Sequence, residues 1–113
     1  MKYMLLIYLN ERQWQSLTEE ERQQIYSDYR QFSEEIQGSG NFISGSELAP
    51  TTSATTVRVR EGKPLVTDGP FAETREQLGG YYLVEAKDLD QALSLAARIP
   101  SAKSGSVEIR PLA

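Results

Sequence analysis

Cysteine and histidine are both missing from this chain of 113 residues. Without cysteine, the protein cannot form disulfides, thiolate nucleophiles or cysteine-ligated zinc and iron–sulfur centres. Without histidine, it lacks the commonest general base and the commonest metal ligand. Carboxylates could still bind Mg²⁺ or Ca²⁺, but no acidic loop has the ligand spacing of an EF-hand. We therefore predict that the protein holds no metal and, since no cofactor motif is visible, no cofactor.

Basic charge and long apolar runs are also scarce. The 12 Lys and Arg residues are outnumbered by 16 Asp and Glu residues, which gives a net charge of −4, whereas nucleic-acid binders usually carry a clustered basic surplus. The longest apolar run, Met4–Leu9, is far shorter than the ~20 residues that span a bilayer. Glu11 and Arg12 follow this run too closely for a secretory signal. We predict a single cytoplasmic domain, residues 1–113, that binds neither nucleic acid nor membrane.

Apolar patterns predict four core strands, over Lys2–Leu9, Asn41–Leu48, Gly80–Ala86 and Ser106–Arg110. The first and third strands are apolar on both faces, which indicates that both of their faces are covered. The last strand alternates strictly between apolar and polar residues, as an edge strand with one wet face does.

Capping residues indicate two helices. A capping box over Thr18–Glu21 begins the first helix, and Gly38 is predicted to be the left-handed residue that ends it. Asp88 caps the second helix, and Pro100 closes it. The predicted buried stripes are Ile25, Tyr29, Phe32 and Ile36 on the first helix and Leu89, Ala92, Leu93, Ala96 and Ile99 on the second.

A β-hairpin is predicted over Thr55–Thr67, with its turn at Glu61–Pro64. The element order is then β-α-β, an inserted hairpin, and β-α-β, and without the hairpin this is the ferredoxin-like split βαβ arrangement of α+β proteins. In that fold the first and third core strands are central. Two helices cover only one face of such a sheet, and a second copy of the chain is the simplest cover for the other apolar face. We therefore predict a homodimer.

The stretch Val66–Ala86, VTDGPFAETREQLGGYYLVEA, places a polar segment between two strands. Asp68 is interpreted either as a cap of the Gly-Pro turn or as a general base or ligand anchor in a cleft. For Glu73 and Arg75 there are also two interpretations. They either form local ion pairs in a solvated loop, or Arg75 binds an anionic substrate that Glu73 orients. Tyr82 fills the core or presents its phenol to a ligand.

Two other features of the chain carry open alternatives. Gly79 and Gly80 permit either a close approach of the backbone or a bulge at the start of the strand. Trp14, which precedes the first predicted helix, either caps the core or covers a pocket.

The quoted stretch resembles the signature of the YCII-related family, in its DGPF subgroup, whose name-giving tetrapeptide is Asp68–Phe71 here. Glu73, Glu76 and Leu78–Tyr81 match the same pattern, and the resemblance extends over essentially the whole chain through YMLLIY, TTVRVR and SVEIRPLA. It implies a ferredoxin-like α+β fold and a dimer of the dimeric α+β barrel type.

The resemblance also bears on function. An acid–base site of one His and one Asp has been suggested for the wider family. The Asp carries over to Asp68, but the His has no counterpart, and Lys103 stands in the loop where some relatives place it. DGPF proteins are often encoded beside, or fused to, extracytoplasmic-function sigma factors, which makes such a factor a candidate partner.

Two functional hypotheses follow. The first is a cofactor-independent small-molecule enzyme or binder with a cleft around the DGPF loop, with Asp68 as the catalytic residue and Glu73, Arg75 and Tyr82 as substrate-binding residues. The second is a non-catalytic accessory protein that acts with an extracytoplasmic-function sigma factor.

Overall fold

An antiparallel sheet of four strands is the centre of the protein in its computed structural model, which describes residues 1–113. Two 3₁₀ turns, Thr51–Ser53 and Pro100–Lys103, complete the structure. The elements in chain order are β1 (Lys2–Leu9), α1 (Glu11–Ser16), α2 (Glu19–Gly38), β2 (Phe42–Glu47), β3 (Thr55–Arg60), β4 (Lys63–Asp68), β5 (Gln77–Glu85), α3 (Leu89–Ala97) and β6 (Ser106–Pro111).

The main sheet has the strand order β2-β5-β1-β6, so the two strands that are apolar on both faces are central, as predicted. Leu5 of β1 lies opposite Tyr82 on one side and Ile109 on the other. The register between β1 and β5 shifts at Gly79, which confirms the predicted bulge. The predicted close approach is also present, because a Cβ on Gly80 would lie 2.9 Å from the Ser46 carbonyl oxygen of β2.

The hydrophobic core lies between one face of this sheet and helices α2 and α3. It consists of 12 buried residues: Tyr3, Leu5, Ile7, Phe32, Ile36, Tyr82, Val84, Ala86, Ala92, Leu95, Ala96 and Ile99. Successive side chains of a strand point to opposite faces, so the alternate residues of the central strands project away from the helices. That open face carries Met4, Leu6, Tyr8, Tyr81 and Leu83, all only half-buried.

Helix α2 begins as predicted and ends later than predicted. Thr18 and Glu21 form the reciprocal capping box. Gly38 is still helical, and the residue with positive φ is Gly40, at 80°. The Gly40 amide donates to the Gln37 carbonyl and the Asn41 amide to the Ile36 carbonyl. This is a Schellman motif, so the prediction for Gly38 was wrong by two residues.

Helix α3 is rotated relative to its predicted buried stripe. Asp88 caps it, and Ala92, Ala96 and Ile99 are buried as predicted. Leu89 and Leu93 are 51% and 49% exposed, however, and Leu95 is buried instead. The helix is apolar around most of its circumference, so its sequence does not by itself select which side faces the sheet. No helix of the protein is long and apolar enough to cross a membrane.

The hairpin is a separate two-stranded sheet of β3 and β4. Arg60 pairs with Lys63, so the loop has only two residues, Glu61 and Gly62, both with positive φ. This geometry matches the left-handed turns that suit hairpins. The turn is therefore tighter than the predicted Glu61–Pro64, since Lys63 and Pro64 already belong to β4.

Candidate functional site

A cavity of about 470 Å³ lies between helix α2 and the β2–β5 side of the sheet, on the helix-covered face. This volume is typical of small-molecule sites, which measure about 300–1,000 Å³. We call this space the aromatic cavity, because five aromatic side chains line it: Trp14, Tyr26, Tyr29, Phe42 and Tyr82. Tyr81 also borders it, but its side chain belongs to the open face of the sheet.

The secondary structure explains how these rings come together. Tyr26, Tyr29 and Ser33 recur at steps of three and four on α2 and therefore share one side of the helix. Phe42 comes from β2 and Tyr82 from β5. The Phe42 and Tyr82 rings pack edge to face, and their centroids are 6.2 Å apart. Phe32 packs against the Tyr82 ring from the core side, with the ring centroids 5.3 Å apart. The Tyr82 ring is therefore held by two aromatic neighbours.

Trp14 closes the aromatic cavity from the short helix α1, which was not predicted. Asn10 caps this helix by accepting the amides of Arg12 and Gln13. The Trp14 ring meets the Tyr26 ring edge to face, at 5.5 Å and an interplanar angle of 83°. Of the two interpretations of Trp14, the structure therefore favours the cover of a pocket.

Hydroxyl pairs give the aromatic cavity a few fixed polar points. The Tyr82 and Ser33 hydroxyls are 2.7 Å apart, and the Tyr29 hydroxyl donates to the Ser101 hydroxyl at 2.6 Å. Burial raises the pKa of both phenols above its ordinary value, against the lowering effect of these hydrogen bonds. The phenols are therefore protonated at neutral pH and act as hydrogen-bonding groups rather than as bases.

Glycine leaves room for the Tyr82 ring in the floor of the aromatic cavity. A Cβ on Gly45 would lie 2.8 Å from Cδ1 of Tyr82 and 2.9 Å from the Tyr81 carbonyl oxygen. Both separations are too short for ordinary contact, and the second involves the backbone, which cannot move aside cheaply. A larger residue at this position of β2 would push the ring into the cavity.

The charged residues around the aromatic cavity are all acidic. Glu11 and Glu47 line it, and no Lys or Arg does. Both Glu11 oxygens are engaged, since they accept hydrogen bonds from the Thr51 amide at 2.8 Å and the Thr51 hydroxyl at 2.7 Å. Glu47 is exposed and accepts a long hydrogen bond from the Tyr26 hydroxyl at 3.3 Å. Burial, followed by Glu47, raises the pKa of Tyr26.

A second depression, which we call the polar cleft, lies between α1 and the segment that follows the DGPF tetrapeptide. Its volume is about 770 Å³, and only one of its 11 lining residues is hydrophobic. Four of them are charged: Glu11, Arg12, Glu73 and Arg75. Glu11 borders the aromatic cavity as well, so the two depressions are neighbours.

The structure divides the predicted site residues among three places. Glu73 and Arg75 line the polar cleft together, whereas Tyr82 lines the aromatic cavity. Asp68 lines neither of these spaces. It ends β4 in an exposed position.

The turn after Asp68 is closed without the help of its carboxylate, which makes no hydrogen bond within the chain. The Gly69 amide donates to the Ala54 carbonyl at 2.8 Å, and the Thr56 hydroxyl donates to the Gly69 carbonyl at 2.8 Å. The structure thus provides no cap of the kind that one interpretation of Asp68 assumed. Lys103, in the loop where some relatives carry His, also lines neither depression.

Several residues of the aromatic cavity were missed by sequence reasoning: Tyr26, Ser33, Phe42, Gly45 and Ser101. A signal was present on α2, where the polar-tipped residues Tyr26 and Ser33 share one side of the helix with Tyr29 of the predicted apolar stripe. Neither depression brings together three or more Asp or Glu side chains.

The protein is thus an α+β protein that combines a four-stranded antiparallel sheet, a separate hairpin and an aromatic cavity beneath a helix. Its sequence matches the YCII-related domain over residues 1–113. It is also 38% identical over 115 residues to an uncharacterized protein of Rhizobium meliloti (strain 1021), in an alignment that spans 100% of this chain and 93% of the relative. The chain belongs to the YCII-related family.

Proposed function

We propose that the protein is a cofactor-independent small-molecule enzyme or binder and that the aromatic cavity holds the body of the ligand. The observation that carries this proposal is a space of about 470 Å³ lined by aromatic side chains and fixed hydroxyl groups. Ligand sites are commonly concave and mostly apolar, with a few placed polar groups. Burial raises the pKa of three phenols here, those of Tyr26, Tyr29 and Tyr82, and shifted pKa values cluster at functional sites.

The polar cleft supplies the charged part of the proposed site. Arg75 and Glu73 lie in it together, and a guanidinium can bind an anionic group while the carboxylate orients a neighbouring donor. Asp68, the proposed catalytic residue, lines neither depression, but its exposed carboxylate lies at the end of β4, shortly before Pro70, which lines the polar cleft. Its role rests on the resemblance of Asp68–Phe71 to the tetrapeptide of the DGPF subgroup, to which we assign the chain.

The arrangement of the chain supports a ferredoxin-like fold and a homodimer of the dimeric α+β barrel type. The element order is β-α-β, hairpin, β-α-β once α1 is set aside, and the strand order β2-β5-β1-β6 places the first and third core strands in the centre. The open face carries the apolar residues Met4, Leu6 and Leu83. A second copy packed on this face would remove them from water.

A thermal-shift screen of metabolites tests the ligand-binding proposal. A ligand at a hundred times its Kd should stabilise the protein by about 2.7 kcal/mol. Trp14 is the only tryptophan of the chain and lines the aromatic cavity, so its fluorescence should change with the same midpoint. An Arg75→Gln variant isolates the polar cleft. If a ligand binds without changing the fluorescence of Trp14, and the Arg75→Gln variant no longer binds it, the ligand site is the polar cleft rather than the aromatic cavity.

A second candidate function, an accessory protein that contacts a protein partner, is favoured by the hairpin. Val57 pairs with Val66 and Val59 with Pro64, so one hairpin face is apolar. The valine side chains are 62–64% exposed. Phe71 is 75% exposed, but its ring stacks on Arg58 at 5.1 Å, and Arg58 lies on the opposite hairpin face, so the valine face alone is the proposed contact surface. Apolar surface of this kind marks an interaction site.

Direct titration tests the partner hypothesis, with an extracytoplasmic-function sigma factor from the same organism as the probe. We expect wild type to bind the sigma factor and Val57→Asp to lose this binding. Thr67→Asp, on the other hairpin face, is the matched control and should retain it. Equal binding by both variants, or none by wild type, would refute the accessory role of the hairpin.

A further inference from the structure

We infer that the part of the ligand inside the aromatic cavity is cationic, so that the ligand is an amine or quaternary ammonium compound with an apolar body, and any anionic group that it carries lies outside this cavity, beside Arg75 in the polar cleft. This inference rests on the proposed function, because it assumes that the cavity binds a ligand. It adds the chemical class of that ligand, which three properties of the cavity wall select: its charge, its rings and its hydrogen-bonding groups.

The charge of the wall has a single sign. The chain carries 12 Lys and Arg residues, yet none lines the aromatic cavity, whereas Glu11 and Glu47 do. Helix α2 carries two guanidinium groups, and that of Arg30 is exposed and does not line the cavity. Arg22 lies close enough to Tyr26 to lower its pKa, against the larger effects of burial and Glu47, and its Nη2 donates to the Leu17 carbonyl at 3.1 Å. Arg22 does not line the cavity. An anionic ligand would therefore lose its hydration without gaining a cationic partner, which is costly.

The cavity wall contains aromatic rings in several orientations. Aromatic faces attract cations because of the ring quadrupole, and cages of such rings recognise quaternary ammonium groups. Trp14 and Tyr26 stand nearly perpendicular, at 83°, and Phe42 and Tyr82 at 74°. Each pair therefore holds its two rings in different orientations rather than in a flat stack, as the rings of an aromatic cage are held.

The wall contains oxygens that can accept a hydrogen bond from a ligand that donates. Tyr29 uses its proton on Ser101, and Tyr26 uses its proton on Glu47, which leaves the oxygens of both phenols as acceptors. The Glu11 carboxylate is already satisfied by Thr51. Glu47 has only the single long bond to Tyr26 and is therefore the carboxylate available to an ammonium group.

Three probes of similar size that differ in charge test this inference: 2-phenylethylamine, 2-phenylethanol and 3-phenylpropionate. Each is titrated at pH 7 and low salt while the fluorescence of Trp14, the only tryptophan of the chain, is recorded. We expect the ammonium probe to bind roughly tenfold more tightly than the anion, and also more tightly than the alcohol, since a desolvated cation–π contact and an ion pair together have about that effect.

The variant Glu47→Gln identifies the carboxylate. It should weaken the ammonium probe by roughly fivefold and leave the alcohol unchanged, because only the ion pair is removed. Glu34→Gln is the matched control: it is an exposed residue of α2 with the same change in charge, and it does not line the aromatic cavity. An equal effect of both variants would show that only the overall charge acts and would overturn the inference.

The outcomes separate this inference from the proposed function. If the alcohol quenches Trp14 and the ammonium probe binds no more tightly, the cavity is a ligand site and only its cationic preference is refuted. Tighter binding of the anion refutes that preference as well. If none of the probes binds at millimolar concentration, the inference is overturned, and the metabolite screen then decides the proposed function separately.

Discussion

Asp68 is the residue at which the structure most changes the expected effect of a substitution. Its carboxylate is exposed and takes no part in closing the turn that follows it. We expect Asp68→Asn and Asp68→Ala each to change the free energy of unfolding by less than about 0.5 kcal/mol, as surface substitutions without lost partners do. Denaturant melts of the three proteins measure this.

Ligand binding by the same variants tests the proposed catalytic role of Asp68. If its charge is functional, Asp68→Asn folds normally but loses affinity or turnover. If Asp68→Asn matches wild type in both stability and activity, Asp68 must be withdrawn as a catalytic or charge-dependent residue. A loss of 1 kcal/mol or more in Asp68→Ala would contradict the solvent-exposed carboxylate of this structure.

The buried phenols predict how stability depends on alkaline pH. Burial raises the pKa of Tyr29 and Tyr82 above the ordinary value of 10.0. The unfolded chain therefore loses these protons first, so the stability that they contribute is complete below about pH 10 and decreases as the pH rises toward the folded pKa. Denaturant melts at pH 8 and above pH 10 should show this decrease.

Removal of one buried phenol should make the loss of stability at alkaline pH smaller. Tyr82→Phe should lower stability at pH 8 by about 0.5–1.5 kcal/mol, because the half-buried Ser33 hydroxyl loses its partner. Between pH 8 and alkaline pH, however, this variant should lose less stability than wild type does. Tyr8→Phe, on the open face of the sheet, controls for the loss of a phenol elsewhere. An unchanged alkaline slope in Tyr82→Phe would refute the attribution to this residue.

Substitution by Ala should have opposite effects on stability at two glycines at the end of helix α2. Gly38 is helical, and a Cβ there would meet no atom within 4 Å, so Gly38→Ala should stabilise the protein by about 0.4–1 kcal/mol. Gly40 has a φ of 80°, so Gly40→Ala should destabilise it by about 1–2 kcal/mol. Thermal unfolding of the two variants measures both signs. The reverse order would place the left-handed residue at Gly38, as the sequence pattern had indicated.

The hairpin is the element whose own stability is lowest. Apart from Thr56, every residue of β3 and β4 is exposed, and an isolated two-stranded hairpin is marginal in water. We expect the amides of Val57 and Val66 to exchange with solvent much faster than those of Leu5 and Val84, because local opening needs little free energy. Hydrogen-exchange mass spectrometry of the protein alone measures this.

Protection of the hairpin would then report on contacts with other chains. If its amides become protected as the protein concentration rises, a second copy covers the hairpin. If they become protected only when the sigma factor is added, that protein does. Slow exchange in dilute protein that scattering shows to be monomeric would contradict the exposed hairpin.

At the scale of the whole molecule, the open sheet face predicts a dimer. Light scattering at micromolar concentration should give twice the chain mass of 12.7 kDa. Leu6→Lys, on the open face, should give the monomer, because a charge would be buried without a partner. Leu93→Lys is the control, since Leu93 is 49% exposed on α3, and it should remain dimeric. A monomeric wild type would refute the dimer proposal.

The sequence alone determined those features that depend on neighbours in the chain. The span Lys2–Leu9 was predicted with its observed bounds, and the caps at Thr18 and Asp88 and the existence of the hairpin follow from local backbone chemistry. The bulge at Gly79 was one of two alternatives that the sequence left open. The central positions of β1 and β5 could be predicted as well, because burial on both faces leaves its mark on every residue of a strand.

Only the tertiary structure decided how helices are rotated and which distant residues meet. The exposure of Leu89 and burial of Leu95 depend on how α3 lies against the sheet. Likewise, Tyr82 shares a cavity with Trp14 and Tyr29 rather than with Asp68, although Asp68 lies nearer in the sequence than either. Strand register and helix packing set such distances, and both arise from the fit of many side chains at once rather than from the pattern of any single segment.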